Sequence, residues 1–146
     1  MKRFCLFPGS FDPFTRGHAD IVRRALSMFD GVVVAVGYNE QKQGWMPVTE
    51  RVGAIRKVFD GEPRVEVTSY SGLTIDLARQ KGISVIVRGI RSMTDFEYEM
   101  QLADVNRRLS GIETILLPTS PELASISSSV VRELARYGRD ISEFLP

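Results

Sequence analysis

Residues 32–36 read Val-Val-Val-Ala-Val, five apolar positions in succession, four of them β-branched. Branching at Cβ favours an extended backbone, and a strand without polar alternation has both faces buried. Such a strand belongs inside a parallel sheet covered on each side by helices. The rest of the chain repeats the theme. With 32–38 (VVVAVGY), short apolar runs recur at 4–7 (FCLF), 64–70 (RVEVTSY), 85–89 (VIVRG) and 114–118 (TILLP).

Helical periods lie between these runs. Ile21, Val22, Ala25, Leu26 and Phe29 mark one apolar face, and Val52, Ile55, Val58 and Phe59 a second, opened by Thr49-Glu50-Arg51. Further helices are read over Leu73 to Gln80, from Thr94 to Leu109, and from the serines at 127–129 to Gly138, a residue suited to the position just past a helix end. Strand and helix alternate five times, and right-handed crossovers turn that series into an α/β fold. The expectation is a doubly wound, five-stranded parallel sheet of Rossmann-like form, in a single domain spanning 1–146.

Composition narrows the function. Nineteen basic and 18 acidic residues leave a net charge of +1, without the broad positive field by which proteins grip nucleic acid. No nucleic-acid partner is expected, and any anion site is local. Cys5, the only cysteine, sits in an apolar run and has no internal disulfide partner, which suits a reducing compartment; no Cys/His spacing suits zinc. The chain opens on a strand rather than a leader, and no apolar run approaches the roughly 20 residues a membrane span needs. The expected location is the cytoplasm, with no membrane partner.

In open α/β sheets, ligands gather at the carboxyl ends of the strands. That rule selects 8–18, 37–47, 70–74, 88–95 and 118–129. The first reads PGSFDPFTRGH and ends on the sole histidine. Pro8-Gly9 permits a sharp exit from the strand, Ser10 offers a hydroxyl, and Thr15 suits the cap of a helix beginning around Arg16. His18 then falls in the first helical turn, where free N–H groups favour a phosphate and Gly17 lets it approach the main chain. A lone histidine is ordinarily incidental; its position after the first strand makes it a candidate. Neither GxGxxG nor GxxxxGK[ST] occurs, so phosphate must be held by another arrangement.

Other segments supply candidates. Arg88 and Arg91 flank Gly89 at the end of the fourth strand, and two guanidinium forks there suit phosphate. Glu99, further along, suits a ribose or base. Ser127, Ser128 and Ser129 open a helix, with hydroxyls and N–H groups for another phosphate. Lys42 lies in a polar loop, NEQKQGWMP, as a flexible point charge. Asp12, Asp95 and Glu99 form no recognisable metal cage, so Mg2+ is expected to arrive on nucleotide phosphates rather than on protein ligands.

Together PGSFDPFTRGH, VRGIRSMTDFEYEMQLADVNRRL and SISSSVVRE resemble the bacterial phosphopantetheine adenylyltransferase family, within the nucleotidyltransferase superfamily that carries an [HT]xGH signature. The resemblance runs along essentially the whole chain. It implies a nucleotidyltransferase fold and reversible transfer of the adenylyl group of ATP to 4′-phosphopantetheine, giving 3′-dephospho-coenzyme A and pyrophosphate. It implies that His18 binds ATP and stabilises the transition state. Ser10, Phe11, Gly89, Ile90, Arg91, Glu99 and the segment Leu123, Ala124, Ser125, Ile126, Ser127, Ser128, Ser129 are implied for ATP. Ser10, Lys42, Thr74 and Arg88 are implied for phosphopantetheine. A homohexamer and feedback by coenzyme A are implied as well.

This sequence departs from the family pattern at Ser10, where threonine is common, and Thr74 is a loosely constrained match. The chain stops at DISEFLP where many relatives continue with a short helix. Two other readings stay open: a related transferase with another phosphorylated acceptor, such as nicotinate mononucleotide, and a nucleotide sensor of the same fold that binds without turnover.

Overall fold

The computed structural model describes residues 2–146. Its elements alternate as the sequence pattern predicts: β1 (Phe4–Gly9), α1 (Arg16–Ala25), β2 (Gly31–Gly37), α2 (Val48–Val58), β3 (Val65–Tyr70), α3 (Thr74–Gln80), β4 (Val85–Ile90), α4 (Met93–Ser110), β5 (Glu113–Pro118) and α5 (Ser128–Arg136), with short 3-10 turns at Pro121–Leu123 and Ser142–Phe144. The five strands form one parallel sheet in the order β3-β2-β1-β4-β5. The doubly wound fold is therefore the one present. No helix among the described residues is long and apolar enough to cross a membrane.

Alternation along the inner strands divides the core in two. Cys5, Phe7, Val32, Val34, Val36 and Val87 join Ile21, Val22 and Ala25 of α1 and Val52 and Ile55 of α2 on one face. Leu6, Val33, Ala35 and Ile86 join Ile75 and Ala78 of α3 on the other. Successive strand residues point to opposite faces, so the unbroken apolar run of β2 fills both clusters at once.

Strand order reverses between β1 and β4, where Leu6 stands opposite Ile86. Beyond that point the β1–β2 ladder continues to Gly9 opposite Val36, whereas Arg88 of β4 reaches across with its side chain and donates from Nη1 to the Pro8 carbonyl at 2.6 Å. The crevice at this reversal is the site that such sheets offer to ligands. At the far end of the chain, Gly138 with φ of 77° follows α5, as the sequence reading expected of a stop that only glycine adopts without strain.

Candidate active site

A cavity of about 370 Å³ opens over the carboxyl ends of β1 and β4. The turn after β1 forms its floor. Thr15 caps α1: its Oγ1 accepts from the His18 N–H at 3.4 Å, while the Thr15 N–H donates to His18 Nδ1 at 3.0 Å. This reciprocal capping satisfies two helix-end donors. It also settles a tautomer, because an Nδ1 that accepts from a main-chain N–H carries no proton. The proton of neutral His18 is on Nε2, and the side chain lines the cavity.

Burial and the positive charges of Arg88 and Arg91 pull the His18 pKa down to about 3. The imidazole is therefore neutral at physiological pH, a hydrogen-bond donor rather than a charge. The rings of Phe11 and Phe14 pack against it at 4.9 and 5.4 Å between centroids. Phe11 holds φ at +48°, which turns its ring inward beside His18. A Cβ on Gly9 would meet that ring at 2.8 Å, so the strand can leave the sheet here only with glycine.

The structure brings Ser10, Phe11, Gly17, His18, Arg88, Gly89, Arg91 and Glu99 to this cavity, and Ile126 and Ser127 to Ser129 line it as well. A second cavity of about 260 Å³ adjoins it, and Ser10, Arg88 and Glu99 border both. Thr74 lines this second space and meets the Tyr70 hydroxyl at 2.7 Å. Lys42 is exposed on the loop after β2 and lines neither cavity, nor do Ile90, Leu123, Ala124 or Ser125.

Several side chains are engaged in ways their sequence spacing does not reveal. Arg88 donates from Nε and Nη2 to the two oxygens of buried Glu99, at 2.9 and 2.7 Å. Glu99 thus orients Arg88, and a ribose or base would meet the carboxylate only through its remaining lone pairs. A guanidinium has five N–H groups; Glu99 and the Pro8 carbonyl take three, leaving two for an anion. Ser127 Oγ caps α5 by accepting from the Val130 N–H, Ser128 Oγ donates to the Pro13 carbonyl, and Ser129 Oγ accepts from Arg132. The donors left at this helix end are the main-chain N–H groups of Ser128 and Ser129, which no helix carbonyl reaches, and the O–H groups of Ser127 and Ser129, whose oxygens only accept.

The relatives of the chain now bear on this geometry. It is 56% identical over 144 residues to a phosphopantetheine adenylyltransferase of Phocaeicola vulgatus, an alignment spanning 99% of this chain and 95% of that one. The enzyme of the same description from Bacteroides fragilis is 55% identical over 99% and 96% of the two chains, and that of Cytophaga hutchinsonii 44% identical over 100% and 98%. This chain belongs to the phosphopantetheine adenylyltransferase family. A family model described as cytidylyltransferase-like also matches residues 6–134. Among solved structures, a bifunctional NMN adenylyltransferase/ADP ribose pyrophosphatase from Francisella tularensis superposes with a TM-score of 0.76 at 15% identity, over 99% of this chain and 45% of that one. That likeness is one of fold.

In this member of the phosphopantetheine adenylyltransferase family, two site residues escape a reading of the sequence. Arg51, in the Thr49-Glu50-Arg51 opening of α2, is 6% exposed. It donates to the carbonyls of Met46 and Ser10 at 2.9 and 3.0 Å and lies 3.9 Å from Asp12. Asp12 in turn accepts from the Trp45 and Met46 N–H groups at 2.7 and 2.8 Å. Asp12 and Arg51 thereby tie the turn after β1 to the loop after β2. The other is Arg132, which lines the cavity from α5; its place one turn beyond Ser129, on the same helical face, is the signal that points to it.

Proposed function

We propose that the protein transfers the adenylyl group of ATP to 4′-phosphopantetheine, forming 3′-dephospho-coenzyme A and pyrophosphate, the penultimate step of coenzyme A synthesis, as a cytoplasmic enzyme. The observation that carries the reading is a neutral, Nε2-protonated His18 facing a cavity shared with Arg88, Arg91 and the opening turns of α1 and α5.

The phosphate of phosphopantetheine attacks the α-phosphorus of ATP. A new P–O bond forms as the bond to the bridging oxygen breaks, and pyrophosphate leaves with that electron pair. The nucleophile is already anionic, so no general base is needed; positioning and charge stabilisation supply the acceleration. His18 donates its Nε2–H to an α-phosphate oxygen and gains most when charge concentrates there. In our assignment Arg88, Ser10, Thr74 and Lys42 face phosphopantetheine. Ser10, Phe11, His18, Gly89, Ile90, Arg91, Glu99 and the segment Leu123 to Ser129 face ATP. Lys42 would reach in by its flexible stem from the loop that Asp12 and Arg51 hold.

A resident magnesium site does not fit the side chains. Among the described residues, no group of three or more His, Cys, Asp or Glu side chains is disposed to hold a metal ion, and Asp12 spends both oxygens on main-chain N–H groups. Mg2+ belongs to the substrate, carried on the ATP phosphates with most of its waters. We also propose a homohexamer and coenzyme A as a feedback ligand at the same cavity; exposed apolar residues on α4, among them Met93, Val105 and Leu109, support contact between copies.

Mixing the protein with Mg-ATP and phosphopantetheine should release pyrophosphate and form dephospho-coenzyme A in equal amounts. Folded protein that binds ATP and makes neither would defeat this assignment and leave the nucleotide sensor.

A further inference from the structure

The chain that leaves β5 supplies Thr119, Ile126 and Ser127 to Ser129 to the main cavity, yet β5 is an edge strand paired with β4 alone. A segment leaving a sheet edge has a strand on one side only to hold it. Thr119 still donates its N–H to the Ile90 carbonyl at 2.8 Å. From 120 to 126 a single hydrogen bond, among the described residues, reaches outside the segment: Ser120 Oγ donates to Asp20 Oδ2 at 2.9 Å.

Asp20 stands on α1, two residues beyond His18. Its Oδ2 also accepts from Arg24 Nη1 at 3.4 Å, and the same nitrogen donates to the Pro118 carbonyl at 2.8 Å. Residues four apart share a helix face, so α1 presents Asp20 and Arg24 together, and they hold Pro118 and Ser120 on either side of Thr119. Nearer the start of the helix, a Cβ on Gly17 would stand 3.9 Å from the Ile126 carbonyl. Helix α1 thus meets the segment at two places, and His18 lies between them in sequence. Asp20, Arg24 and Ser120 do not line the cavity; they act through what they hold. A hydrogen bond accepted by a carboxylate is stronger than one between neutral groups.

We propose that Asp20 and Ser120 are positioning residues for ATP, setting the separation between His18 and the segment 119–129. The inference rests on the adenylyl-transfer reading above. The second cavity, where Thr74 lies, takes no lining residue from 119–129. Nucleotide binding therefore depends on the Asp20–Ser120 bond, and acceptor binding does not.

Steady-state kinetics of D20A, S120A and the double variant D20A/S120A, with D20N as the conservative change, tests the assignment. Each alanine variant should raise the KM for ATP about fivefold to tenfold and leave that for phosphopantetheine within about twofold. The double variant should be no worse than D20A, because the two side chains act as one unit. D20N keeps an oxygen that accepts from Ser120 and should recover most of the loss. Calorimetry should show the same weakening in the Kd for ATP, and amides of 119–127 should exchange about tenfold faster in both single variants while those of β1 keep their protection. S120A removes one hydroxyl and carries the test if D20A folds poorly. A KM for ATP within twofold of wild type, equal rises for both substrates, losses that add in the double variant, or unchanged exchange at 119–127 would overturn the role. Wild type that binds ATP without turnover would instead defeat the parent reading, and the calorimetric comparison would still decide this one.

Discussion

Helices α1 and α4 flank the same cavity and are held in opposite ways. In ten residues α1 buries Gly17, Ala19, Ile21, Val22 and Ala25, whereas α4 buries only Glu99 in eighteen. The first is fixed by apolar contact along its length, the second at the cavity by a doubly bonded ion pair with Arg88. Dispersion and hydrophobic burial are spread over many atoms and lock a helix in position. A single charged pair holds one point and responds to any anion that approaches. The chemistry needing the tightest placement, at His18, is on the helix with the firmer seat, and the substrate-facing arginine is tied to the looser one.

The strongest blow to that contrast would come from His18→Ala. We expect kcat to fall roughly a hundred- to a thousandfold, about 3–4 kcal/mol of transition-state stabilisation, with the KM for ATP little changed in steady-state assays. A variant as active as wild type would remove α1 from the chemistry. Val22→Ala, at a fully buried position of the same helix, should cost about 2–3 kcal/mol of folding stability in denaturant titration and leave kcat near the wild-type value in native buffer.

Acid tests the seat of α1 from another side. Above pH 6.5 His18 is neutral in both folded and unfolded chains. As pH falls from 6.5 toward about 3, the unfolded chain takes up a proton that the folded one refuses, so stability drops with pH. Unfolding free energies at pH 7 and pH 5 should differ more for wild type than for His18→Asn; equal differences would mean that the folded imidazole titrates normally.

On the α4 side, Glu99→Gln should loosen the helix without unfolding the protein. Amides of 93–110 should exchange about tenfold faster, roughly 1–2 kcal/mol of local stability, while those of α1 keep their protection. Uniform loss across both helices would show that the ion pair supports the whole domain. The smallest effect belongs to Leu109→Ser, at an exposed site of α4: folding stability should move by no more than about 0.5 kcal/mol. Sedimentation should nevertheless show weaker assembly on dilution, and assembly identical to wild type would remove α4 from the contact between copies.

Much of this was legible in the chain because local rules and the global fold agree. The Val32–Val36 run demanded burial on two faces, Thr15 announced the start of α1, and Gly138 its counterpart at the end of α5. Strand order is another matter: the apolar runs of β3 and β5 look like that of β1, yet both are edge strands, with Glu66 and Glu113 exposed. Arg51 reads only as part of a helix opening, and its burial depends on the turn after β1 and the loop after β2, whose carbonyls it binds. Partners such as Glu99 on Arg88 join residues 11 apart across a strand and a helix, a distance that periodicity does not register. For the three serines, spacing announced the helix start but not that Ser128 would spend its hydroxyl on the Pro13 carbonyl, while Ser127 and Ser129 accept and keep their O–H groups as donors.

The position of Cys5 carries a practical consequence. It is fully buried in β1, the middle strand of the sheet, and burial pushes its thiol up to about 12. Because thiolate is the reactive form, the native molecule is blind to alkylating reagents. The chain has no other cysteine, so each labelled molecule marks one excursion in which the central strand left its neighbours. The protein contains its own clock for global opening, one that runs slower when substrates occupy the cavity by the amount they stabilise the fold.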